Sequence, residues 1–485
     1  MEQIIGLDIG TNSVKAIMLQ GSQITAQKSV GYSPDFLGDG FVEQDPAVWW
    51  DAAKEAIKSI TAENPGQVAA LAVSGQMHSS VFLAQDGSVV RNAILWNDTR
   101  TTKQVKDIID LAQGEARLLE MVYNRSLEGF TLPKILWLKE NEPKNFNRVN
   151  KIVMPKDYIN YKLTGRIVTD VSDAAGTILL DVAKKQWSQE LLSKTGLGAA
   201  LLPEVLDSVE IVGEVLPSVA DELGLCSKTL VIAGGADNSC AAIGNGVVKS
   251  GQTIVSIGTS GTIVTMLDSL PKNINGDVHL FNYSYPDKFY AMGCMLSAGE
   301  SLNWLRNIVE TKDFDEFNVL TEQSKPGCGG VIFLPYLFGE RCPYPNPQAK
   351  GMFFGLSHTT SKADIVRAVM EGVGYNIRAM SELVAEFTPI TEIFITGGGA
   401  KSRVWGQIIA DILKKPLNVL NIEEGPAFGA ALIAGVGAGI FSGFDEAKSV
   451  FLKTQRFIEP AKHSAYDDGF VLFKRLYEAN KDCFK

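Results

Sequence analysis

The chain has 485 residues, of which 45% are hydrophobic and 21% charged. This composition is typical of globular proteins and excludes collagen-like, fibrous and disordered classes. At about 150 residues per domain, the length predicts two to three domains. The 45 Lys and Arg residues against 55 Asp and Glu residues give a net charge of −10, which excludes a broad basic surface for nucleic acid. We therefore expect no nucleic-acid partner, and a local site for any phosphate.

The six cysteines show no CxxC pair and no regular spacing, so we expect reduced thiols rather than a zinc site or a disulfide framework. The N-terminus has no basic segment before an apolar one, which argues against a signal peptide. The longest apolar stretch, residues 427–441, has 15 residues with four glycines, fewer than the ~20 needed to cross a bilayer. We expect a soluble, cytoplasmic protein with no membrane partner.

The first predicted element is a hairpin over residues 4–19, IIGLDIGTNSVKAIML. Two apolar runs flank a turn of small and polar residues, which is typical of two short strands. The turn at 10–13 exposes backbone N–H groups that could bind a phosphate, and Lys15 could add a charge. Asp8, at the strand end, is suited to a hydrated Mg²⁺, because this hard ion prefers carboxylate oxygen. The alternative is an Asp that only caps its own turn.

A helix is predicted over residues 46–60 and a buried strand over 67–77, which ends at Gln76-Met77 and is followed by His78. With the segment 96–100, Trp-Asn-Asp-Thr-Arg, these residues offer amide, imidazole, carboxylate and guanidinium groups beside an aromatic ring. A polyhydroxylated ligand needs such partners for its many donors and acceptors. The alternatives are a core histidine at position 78 and an ordinary loop anchor at 96–98.

The segment LVIAGGADN, residues 230–238, predicts a buried strand that ends at an acid among residues with almost no side chain. Such neighbours leave space around the carboxylate of Asp237 for a substrate hydroxyl. An Asp there can accept the proton of an attacking alcohol during phosphoryl transfer. The alternative is an N-cap for the following helix.

A second hairpin, residues 253–267, repeats the pattern of the first, with Gly258-Thr259-Ser260-Gly261 at its tip. Two amide-rich tips could clamp a polyphosphate, whereas the alternative is two ordinary hairpins in a duplicated sheet protein. A helix over 362–384 and a strand over 390–400 follow, like the pair in the first half. The strand ends at Gly397-Gly398-Gly399 before Ser402, where a flat base could lie against the backbone, unless the triplet is a plain strand-to-helix turn.

These correspondences predict two similar α/β halves, 1–245 and 246–485. The segment 463–482 predicts a C-terminal helix that packs through one aromatic face and could return to the first half. No P-loop, GxGxxG turn, HExxH or GxSxG motif occurs in the sequence, which excludes the enzyme classes that carry them.

The chain resembles the FGGY family of carbohydrate kinases in motifs that keep the same order along nearly its whole length. They include GLDIGTNSVKA, SGQMH, ILWNDTR, SDAAGTILLDVAK, AGGADN, SIGTSG, FLPYLFGERCP and TGGGAKS. The resemblance implies an α/β fold of two duplicated ribonuclease-H-like lobes of the actin/hexokinase ATPase type, with an interlobe cleft. The lobe 1–245 would bind sugar and the lobe 246–485 would bind nucleotide.

Carried over position by position, the resemblance implies that Asp237 is the catalytic base and that Asp8 supports metal-bound phosphates through water, with Asp237 as an alternative metal ligand. The residues that would contact the sugar are Met77 and His78, with Gln76, Trp96, Asn97, Asp98, Arg100 and Asn238 nearby. Those that would contact phosphate are Gly10, Thr11, Asn12, Lys15, Gly258 and Thr259. Those on the nucleoside side would be Gly299, Gly397, Gly398, Gly399 and Ser402.

The implied activity is transfer of phosphate from ATP to a sugar, with Mg²⁺. The WNDTR and SDAAGT segments favour members that convert D-xylulose to D-xylulose 5-phosphate in pentose catabolism, whereas Ser79 and Ser80 after His78 resemble gluconate kinases of the family. Gluconate therefore stays an alternative substrate. An alternative of another class is an actin-like, ATP-gated chaperone or scaffold. The expected partners are sugar and ATP, and a homodimer is left open.

Overall fold

The computed structural model describes residues 2–63, 67–422 and 424–484. Its strands, in chain order, are β1 (Gln3–Ile9), β2 (Ser13–Gln20), β3 (Gln23–Gly31), β4 (Asp35–Gly38), β5 (Phe41–Gln44), β6 (Val68–Gly75), β7 (Val81–Leu83), β8 (Ala93–Ile94), β9 (Lys151–Val153), β10 (Val168–Asp170), β11 (Leu180–Asp181), β12 (Gln186–Trp187), β13 (Glu204–Leu206), β14 (Ile211–Glu214), β15 (Leu230–Ala236), β16 (Gln252–Ile257), β17 (Gly261–Leu267), β18 (His279–Asn282), β19 (Phe289–Met295), β20 (Ile332–Leu334), β21 (Met352–Phe354), β22 (Glu392–Thr396), β23 (Leu417–Leu420) and β24 (Thr454–Ile458).

The α-helices are α1 (Pro46–Glu63), α2 (Thr102–Leu111), α3 (Glu115–Val122), α4 (Thr131–Asn141), α5 (Pro143–Phe146), α6 (Pro155–Thr164), α7 (Val171–Ala175), α8 (Gln189–Thr195), α9 (Pro217–Leu223), α10 (Asp237–Gly244), α11 (Gly299–Val309), α12 (Phe314–Gln323), α13 (Lys362–Ala385), α14 (Gly398–Lys401), α15 (Arg403–Leu413), α16 (Pro426–Gly437), α17 (Phe444–Phe451) and α18 (Ser464–Asn480). Short 3₁₀ turns cover Ala199–Leu201, Cys328–Gly330 and Lys481–Cys483.

The chain forms two compact units, and neither is continuous in sequence. The first comprises Met1–Val248, Asp268–Tyr290 and Glu424–Phe451, and the second comprises Lys249–Leu267, Ala291–Glu423 and Leu452–Lys485. The sequence boundary at residue 245 stays a prediction.

The first unit contains a six-stranded sheet in the order β14-β15-β6-β1-β2-β3. Strand β1 pairs antiparallel with β2, which confirms the predicted hairpin. Strands β1, β6 and β15 run parallel, with β6 between the other two. Almost all residues of β1 and β6 are buried, because parallel strands covered on both faces need continuous apolar runs rather than alternating ones.

The second sheet has seven strands, and six of them repeat this topology in the order β19-β17-β16-β22-β23-β24. Strand β16 pairs antiparallel with β17 and parallel with β22. Strand β22 pairs parallel with β23, and β24 closes the edge antiparallel to β23. The prediction of a duplicated α/β sheet is therefore confirmed by strand order and strand direction, beyond the similarity of the two hairpins.

The apolar stretch at 427–441 mostly forms helix α16, whose residues Ala427 to Gly435 are all buried in the first unit. This helix packs on β1, β6 and α10. Small residues allow the close approach: a Cβ at Gly429 would collide with the carbonyl oxygen of Cys240 in α10. Among the described residues, no helix is both long enough and apolar enough to cross a membrane.

The predicted helices over 46–60 and 362–384 are confirmed as α1 and α13. Helix α1 packs on β2 and β3 of the first sheet, and α13 packs on α12, α15 and β20 of the second unit. The C-terminal helix α18 contacts α13, α15 and β20. The helix belongs to the second unit, and its return to the first half stays a prediction. Its aromatic residues Tyr466, Phe470 and Phe473 are buried in the second unit.

Candidate active site

The candidate site of the first unit lies at the carboxyl ends of its three parallel strands. Asp8 is the penultimate residue of β1, Gln76 follows β6, and Asp237 follows β15. The strand ends are in register, because Gly75 of β6 is opposite both Ile9 and Ala236. Parallel strands end at the same edge of a sheet, and ligands of open α/β sheets bind there. The topology therefore brings together three segments that the sequence analysis singled out separately.

Asp237 is the first residue of α10, and the N-cap position is Ala236, which makes no side-chain cap. The alternative that Asp237 caps this helix is therefore wrong. Its Oδ1 accepts hydrogen bonds from the backbone N–H of Asn238 at 2.7 Å and from Asn238 Nδ2 at 2.8 Å. Burial among apolar neighbours and the nearby Asp8 carboxylate raise the pKa of Asp237 to about 7. A carboxyl with that pKa can exchange a proton near neutral pH.

Asp8 is opposite Lys15 on β2 and Ser74 on β6. Burial raises the pKa of Asp8 to about 6, although Ser74 and Lys15 act in the opposite direction. Its Oδ1 is buried and has no hydrogen-bond partner within the described residues. Lys15, predicted to add a charge at the phosphate site, forms an ion pair with Glu424.

These two carboxyls fit a hydrated Mg²⁺. A hard ion takes oxygen ligands and keeps several waters, so it needs only one or two protein carboxylates. The buried oxygen of Asp8 and the electrostatic repulsion between Asp8 and Asp237 would both be relieved by a cation. Within the described ranges, no group of three or more His, Cys, Asp or Glu residues is arranged for a metal. The residues therefore match an ion held mostly through water.

Met77 and His78 continue from β6 into this edge. The Met77 sulfur accepts from Asn238 Nδ2 at 3.7 Å and from the Tyr290 hydroxyl at 3.8 Å. His78 has a left-handed backbone, φ 68°, and its Nδ1 lies 2.6 Å from the carbonyl oxygen of Gly176. In a neutral ring this contact makes Nδ1 the N–H donor and Nε2 an acceptor. Met77, His78 and Asn238 are thus brought together, as the sequence analysis expects.

Gln76, Trp96 and Thr11 form one connected network. Trp96 Nε1 donates to Thr11 Oγ1 at 2.9 Å, and the Thr11 hydroxyl lies 3.4 Å from Gln76 Oε1. Trp96 is 36% exposed, so part of this residue stays accessible to a ligand. Beside it, Asn97 Oδ1 is buried and has no partner among the described residues. Thr11 thus couples the first hairpin tip to the aromatic residue, which the separate motifs do not indicate. Of the other predicted phosphate residues in the first unit, Gly10 is partly buried and Asn12 is exposed.

Asp98 and Arg100 lie apart from that network. Asp98 Oδ2 accepts from the backbone N–H of Val42 at 2.6 Å and from Arg100 Nη2 at 2.7 Å. Arg100 also pairs with Glu43 and stacks its guanidinium 3.9 Å from the Phe41 ring centroid. Both side chains are at most 1% exposed. Their polar atoms are used to anchor the loop, and their role in sugar binding stays a prediction.

The sequence analysis missed a buried carboxyl in α7, Asp173. Both of its oxygens are buried and have no hydrogen-bond partner within the described residues. Burial raises the pKa of Asp173 well above its ordinary value, and the carboxylates of Asp157, Asp170 and Asp237 add to this effect. The local sequence does not reveal this environment, because two of its acidic neighbours, Asp157 and Asp237, come from other segments.

The second unit contains a cavity of about 440 Å³ at the carboxyl ends of β16 and β22. Most of the residues predicted for the nucleotide line it: Gly258, Thr259, Gly299, Gly398, Gly399 and Ser402. Gly397 lies between β22 and α14 and is not part of the lining. The structure thus brings together a hairpin tip, a helix start and a glycine-rich turn. Their roles toward a nucleotide stay predictions.

Backbone hydrogen bonds attach the start of α11 to the second hairpin. Gly299 N donates to the carbonyl of Gly258 at 2.8 Å, and Glu300 N donates to that of Thr259 at 3.1 Å. Ser402 caps α15 through Trp405 N and donates its hydroxyl to Asn318 Oδ1 at 2.6 Å. The sequence analysis missed the side chains that complete the cavity, notably Phe314, Asn318 and Trp405. Their helical spacing predicts only core positions.

Replacing Asp237 with Asn should stabilise the protein free of ligands at alkaline pH. The pKa of Asp237 is raised from 3.8 to about 7, so the folded state binds the proton more tightly than the unfolded state. The favourable contribution of the protonated carboxyl is complete below pH 4 and is lost as the pH rises through 7. Asp237→Asn should therefore be more stable at pH 8 by on the order of 2–4 kcal/mol, and the gain should vanish at pH 4.

Melting temperatures measured from pH 4 to pH 8 test this expectation. Asp35→Asn, at an exposed position of β4, serves as the control and should change little. An Asp237→Asn protein that melts below the unsubstituted protein at pH 8 would contradict the assigned environment of this carboxyl.

Comparison with known proteins relates both units to one family. The model of the FGGY family of carbohydrate kinases, N-terminal domain, matches residues 3–244. The model of the C-terminal domain of the same family matches residues 253–438. A xylulose kinase of Staphylococcus xylosus is 38% identical over 484 residues, which cover 99% of this chain and 100% of that protein.

Solved structures show the same relationship. A ligand-bound xylulose kinase from Lactobacillus acidophilus has a TM-score of 0.95 and 28% identity, covering 100% of this chain and 99% of that chain. A gluconate kinase from the same organism has a TM-score of 0.95 and 27% identity with the same coverage. Across both units, the fold and the sequence place this chain in the FGGY family of carbohydrate kinases, enzymes that transfer phosphate from ATP to a sugar.

Proposed function

We propose that this chain transfers the γ-phosphoryl group of ATP to the terminal O5 hydroxyl of D-xylulose, giving D-xylulose 5-phosphate. The observation that carries the proposal is the Asp237 carboxyl, with a pKa of about 7, beside Asn238 and Met77 at the carboxyl edge of the first sheet. Near-full-length identity of 38% to a xylulose kinase supports the choice of sugar.

In this mechanism Asp237 accepts the proton of the O5 hydroxyl as O5 attacks the γ-phosphorus, and the bond from that phosphorus to the bridging oxygen of ADP breaks. General-base help of this kind contributes about 10²- to 10⁴-fold. No covalent intermediate with the enzyme is required, because positioning and charge stabilisation supply most of the catalysis in phosphoryl transfer. Mg²⁺, held by Asp8 through water, would offset the charge on the phosphate oxygens.

The rest of the edge would bind and orient the sugar. Met77, His78 and Asn238 would contact its hydroxyl groups, with Gln76 and Trp96 next to them. His78 Nε2 supplies an acceptor because Nδ1 faces the Gly176 carbonyl. Several fixed polar groups around one polyol hold the reacting hydroxyl in a defined position, which is a large part of the rate advantage of an enzyme.

Gluconate is the second candidate, because Ser79 and Ser80 resemble gluconate kinases and one structural relative is a gluconate kinase. However, the Ser79 hydroxyl donates to Gln76 Oε1 at 3.1 Å and accepts from Trp96 N at 3.0 Å. Ser79 is fully buried and its hydroxyl is used in these two hydrogen bonds, so it stabilises the loop rather than contacting the sugar. The serine at position 79 therefore carries little information on the substrate.

The charges around the site also favour a neutral sugar. With its terminal hydroxyl at Asp237, gluconate would carry its carboxylate at the opposite end of the carbon chain, where it would need a cation. The cation of Arg100 is paired with Asp98 and Glu43, and that of Lys15 with Glu424. A carboxylate removed from water without a partner is unfavourable.

A panel of D-xylulose, D-ribulose, gluconate, glycerol and ribitol, each with ATP and Mg²⁺, tests the substrate. We expect the highest kcat/KM for D-xylulose, at least about tenfold above the others, a difference of 1.4 kcal/mol in transition-state binding. Coupled measurement of ADP release reports each reaction. A higher kcat/KM for gluconate would support the second candidate, and ATP turnover indifferent to every sugar would support an ATP-gated chaperone or scaffold.

Asp237→Asn should lower kcat by roughly 10²- to 10⁴-fold, because Asn cannot accept the O5 proton. KM for ATP should stay within a few-fold, since the nucleotide cavity lies in the second unit. Steady-state kinetics with D-xylulose measure both constants, and calorimetric titration with ATP checks that binding persists. Near-normal turnover in this variant would remove the assignment of the base.

Gly398→Val should raise KM for ATP by about tenfold, a loss of 1.4 kcal/mol. Gly398 lines the cavity, and a Cβ at this position meets no atom within 4 Å. The larger side chain would therefore occupy ligand space without disturbing the fold. KM for D-xylulose should not change.

Gly198→Val is the matched control, because a Cβ at Gly198 also meets no atom within 4 Å and the residue lies in the first unit, outside the cavity. Equal KM values for ATP in Gly398→Val and Gly198→Val would contradict the assignment of the cavity to the nucleotide.

A further inference from the structure

A buried chain of hydrogen bonds in the first unit leads from Lys156 to the residue before Asp237. Lys156 Nζ lies 2.9 Å from Asp170 Oδ1. The Ser172 hydroxyl donates to Asp170 Oδ2 at 2.5 Å and accepts the backbone N–H of Ala236 at 2.9 Å. The side chains of Lys156, Asp170 and Ser172 are fully buried. The start of α10 is therefore attached to a charged pair in the interior.

The direction of each bond in this chain is fixed. The Ser172 hydroxyl has one hydrogen, which Asp170 takes, so its lone pairs accept from Ala236 N and from the Ser284 hydroxyl at 3.1 Å. Asp170 Oδ2 also accepts from the Ser208 hydroxyl at 2.6 Å. A hydroxyl with no alternative partner holds its neighbours more rigidly than one that can rotate.

Two further serines hold the other side of Asp237. The Ser239 hydroxyl donates to the Ser284 hydroxyl at 2.8 Å and accepts from Ser284 N at 2.8 Å. Ser284 in turn donates to Ser172. Ser172, Ser284 and Ser239 form a serine cluster. Through Ser172 it contacts Ala236, the residue before Asp237, and it includes Ser239, two positions after Asp237.

Gly235, the residue before Ala236, makes room for the serine cluster. A Cβ at Gly235 would collide with the Ser284 hydroxyl and lie 3.1 Å from the Ser172 hydroxyl. The register of β15 against β6 shifts between Ile232 and Gly235, and Gly234 has φ of 75°. The sequence analysis attributed these small residues to space for a substrate hydroxyl. The structure corrects that reason for the two glycines, because the space beside Gly235 is filled by serine hydroxyls and the space beside Gly234 by the backbone of Val73.

Charge keeps this arrangement in place. Burial disfavours the charged form of Lys156, but the carboxylates of Asp157, Asp170 and Asp173 raise its pKa above the ordinary value. Asp170 therefore has a permanent cation at one oxygen and hydroxyl donors at the other. A buried ion pair with its remaining lone pairs hydrogen-bonded is the arrangement that holds a fixed geometry.

We propose that Ser172, anchored by Asp170, is a positioning residue for Asp237: it fixes the Ala236 N–H and so holds the carboxylate of the base where the sugar hydroxyl reacts. This inference rests on the proposed function, because it assumes that Asp237 is the base. Ser172 acts through the backbone at Ala236, so its loss moves the start of α10 with the Asp237 carboxylate, whereas Met77, His78 and the cavity of the second unit keep their positions. The effect should therefore appear in kcat rather than in KM.

The experiment compares Ser172→Ala with Ser208→Ala in steady-state kinetics with D-xylulose. Ser208→Ala is a matched control, because it removes a buried hydroxyl from the same oxygen of Asp170 without touching Ala236. We expect Ser172→Ala to lower kcat by roughly 10- to 100-fold, the effect of displacing a catalytic group by up to about 1 Å. KM for sugar and ATP should stay within about twofold. Ser208→Ala should keep kcat while losing similar thermal stability.

Two additions make the result decisive. Ser172→Thr, which keeps the hydroxyl, should restore most of kcat. In the Asp237→Asn background, Ser172→Ala should cause no further loss, because both substitutions act on one step. If Ser172→Ala fails to fold, Ser284→Ala takes its place and should lower kcat in the same direction.

Equal kcat values for Ser172→Ala and Ser208→Ala would overturn the inference, and so would a rise in KM with unchanged kcat. A further additive loss in the Asp237→Asn background would also overturn it. Failure of the proposed function gives a different result: an unsubstituted protein with no sugar-dependent ADP release, or an Asp237→Asn protein with normal turnover.

Discussion

The repulsion between two partly buried carboxyls, Asp8 and Asp237, is the constraint on which the rest of the site depends. Each has a raised pKa because burial disfavours the charged form, and the charge of Asp8 raises the pKa of Asp237 further. A fold optimised only for stability would not keep two acids at one sheet edge. The repulsion is relieved when Asp237 receives a proton or when a cation binds at the edge. In the proposed phosphoryl transfer, the sugar hydroxyl would supply the proton and Mg²⁺ would be the cation.

The backbone around these acids is held by close packing of small residues. Helix α16 approaches β1 and α10 because glycine and alanine replace larger side chains along its buried face. At the entrance to α10, the serine cluster occupies the space left by Gly235. Packing by backbone atoms leaves few alternative positions for the helix start. The position of the Asp237 carboxylate is thus set by backbone packing at the start of α10, in addition to its own hydrogen bonds with Asn238.

Much of the fold was predictable from local patterns, since apolar runs and glycine turns specify hairpins and buried strands within a few residues. Strands β1, β2, β6, β16, β17 and β22 and helices α1 and α13 were found in this way. The partners of charged residues were not, because they are distant in sequence: Lys15 pairs with Glu424 and Arg100 with Glu43. The motifs indicated both Met77 and Asp98 as candidate sugar contacts. Only the fold shows that Met77 lies beside Asn238, whereas the Asp98 carboxylate is buried and used in anchoring a loop.

The duplicated topology separates two tasks by charge. In the first unit, Asp8 of β1 is opposite Ser74 of β6, and in the second unit the corresponding pair is Ser256 of β16 and Thr396 of β22. The same sheet edge therefore carries an acid in one copy and a hydroxyl in the other. Without a cation, a carboxylate there would repel a polyphosphate, whereas backbone N–H groups and hydroxyls can donate to it. Under the proposed function, Asp8 therefore needs Mg²⁺ between its carboxylate and the phosphates, whereas the hydroxyl pair of the second unit can accept a polyanion without a metal ion at that position.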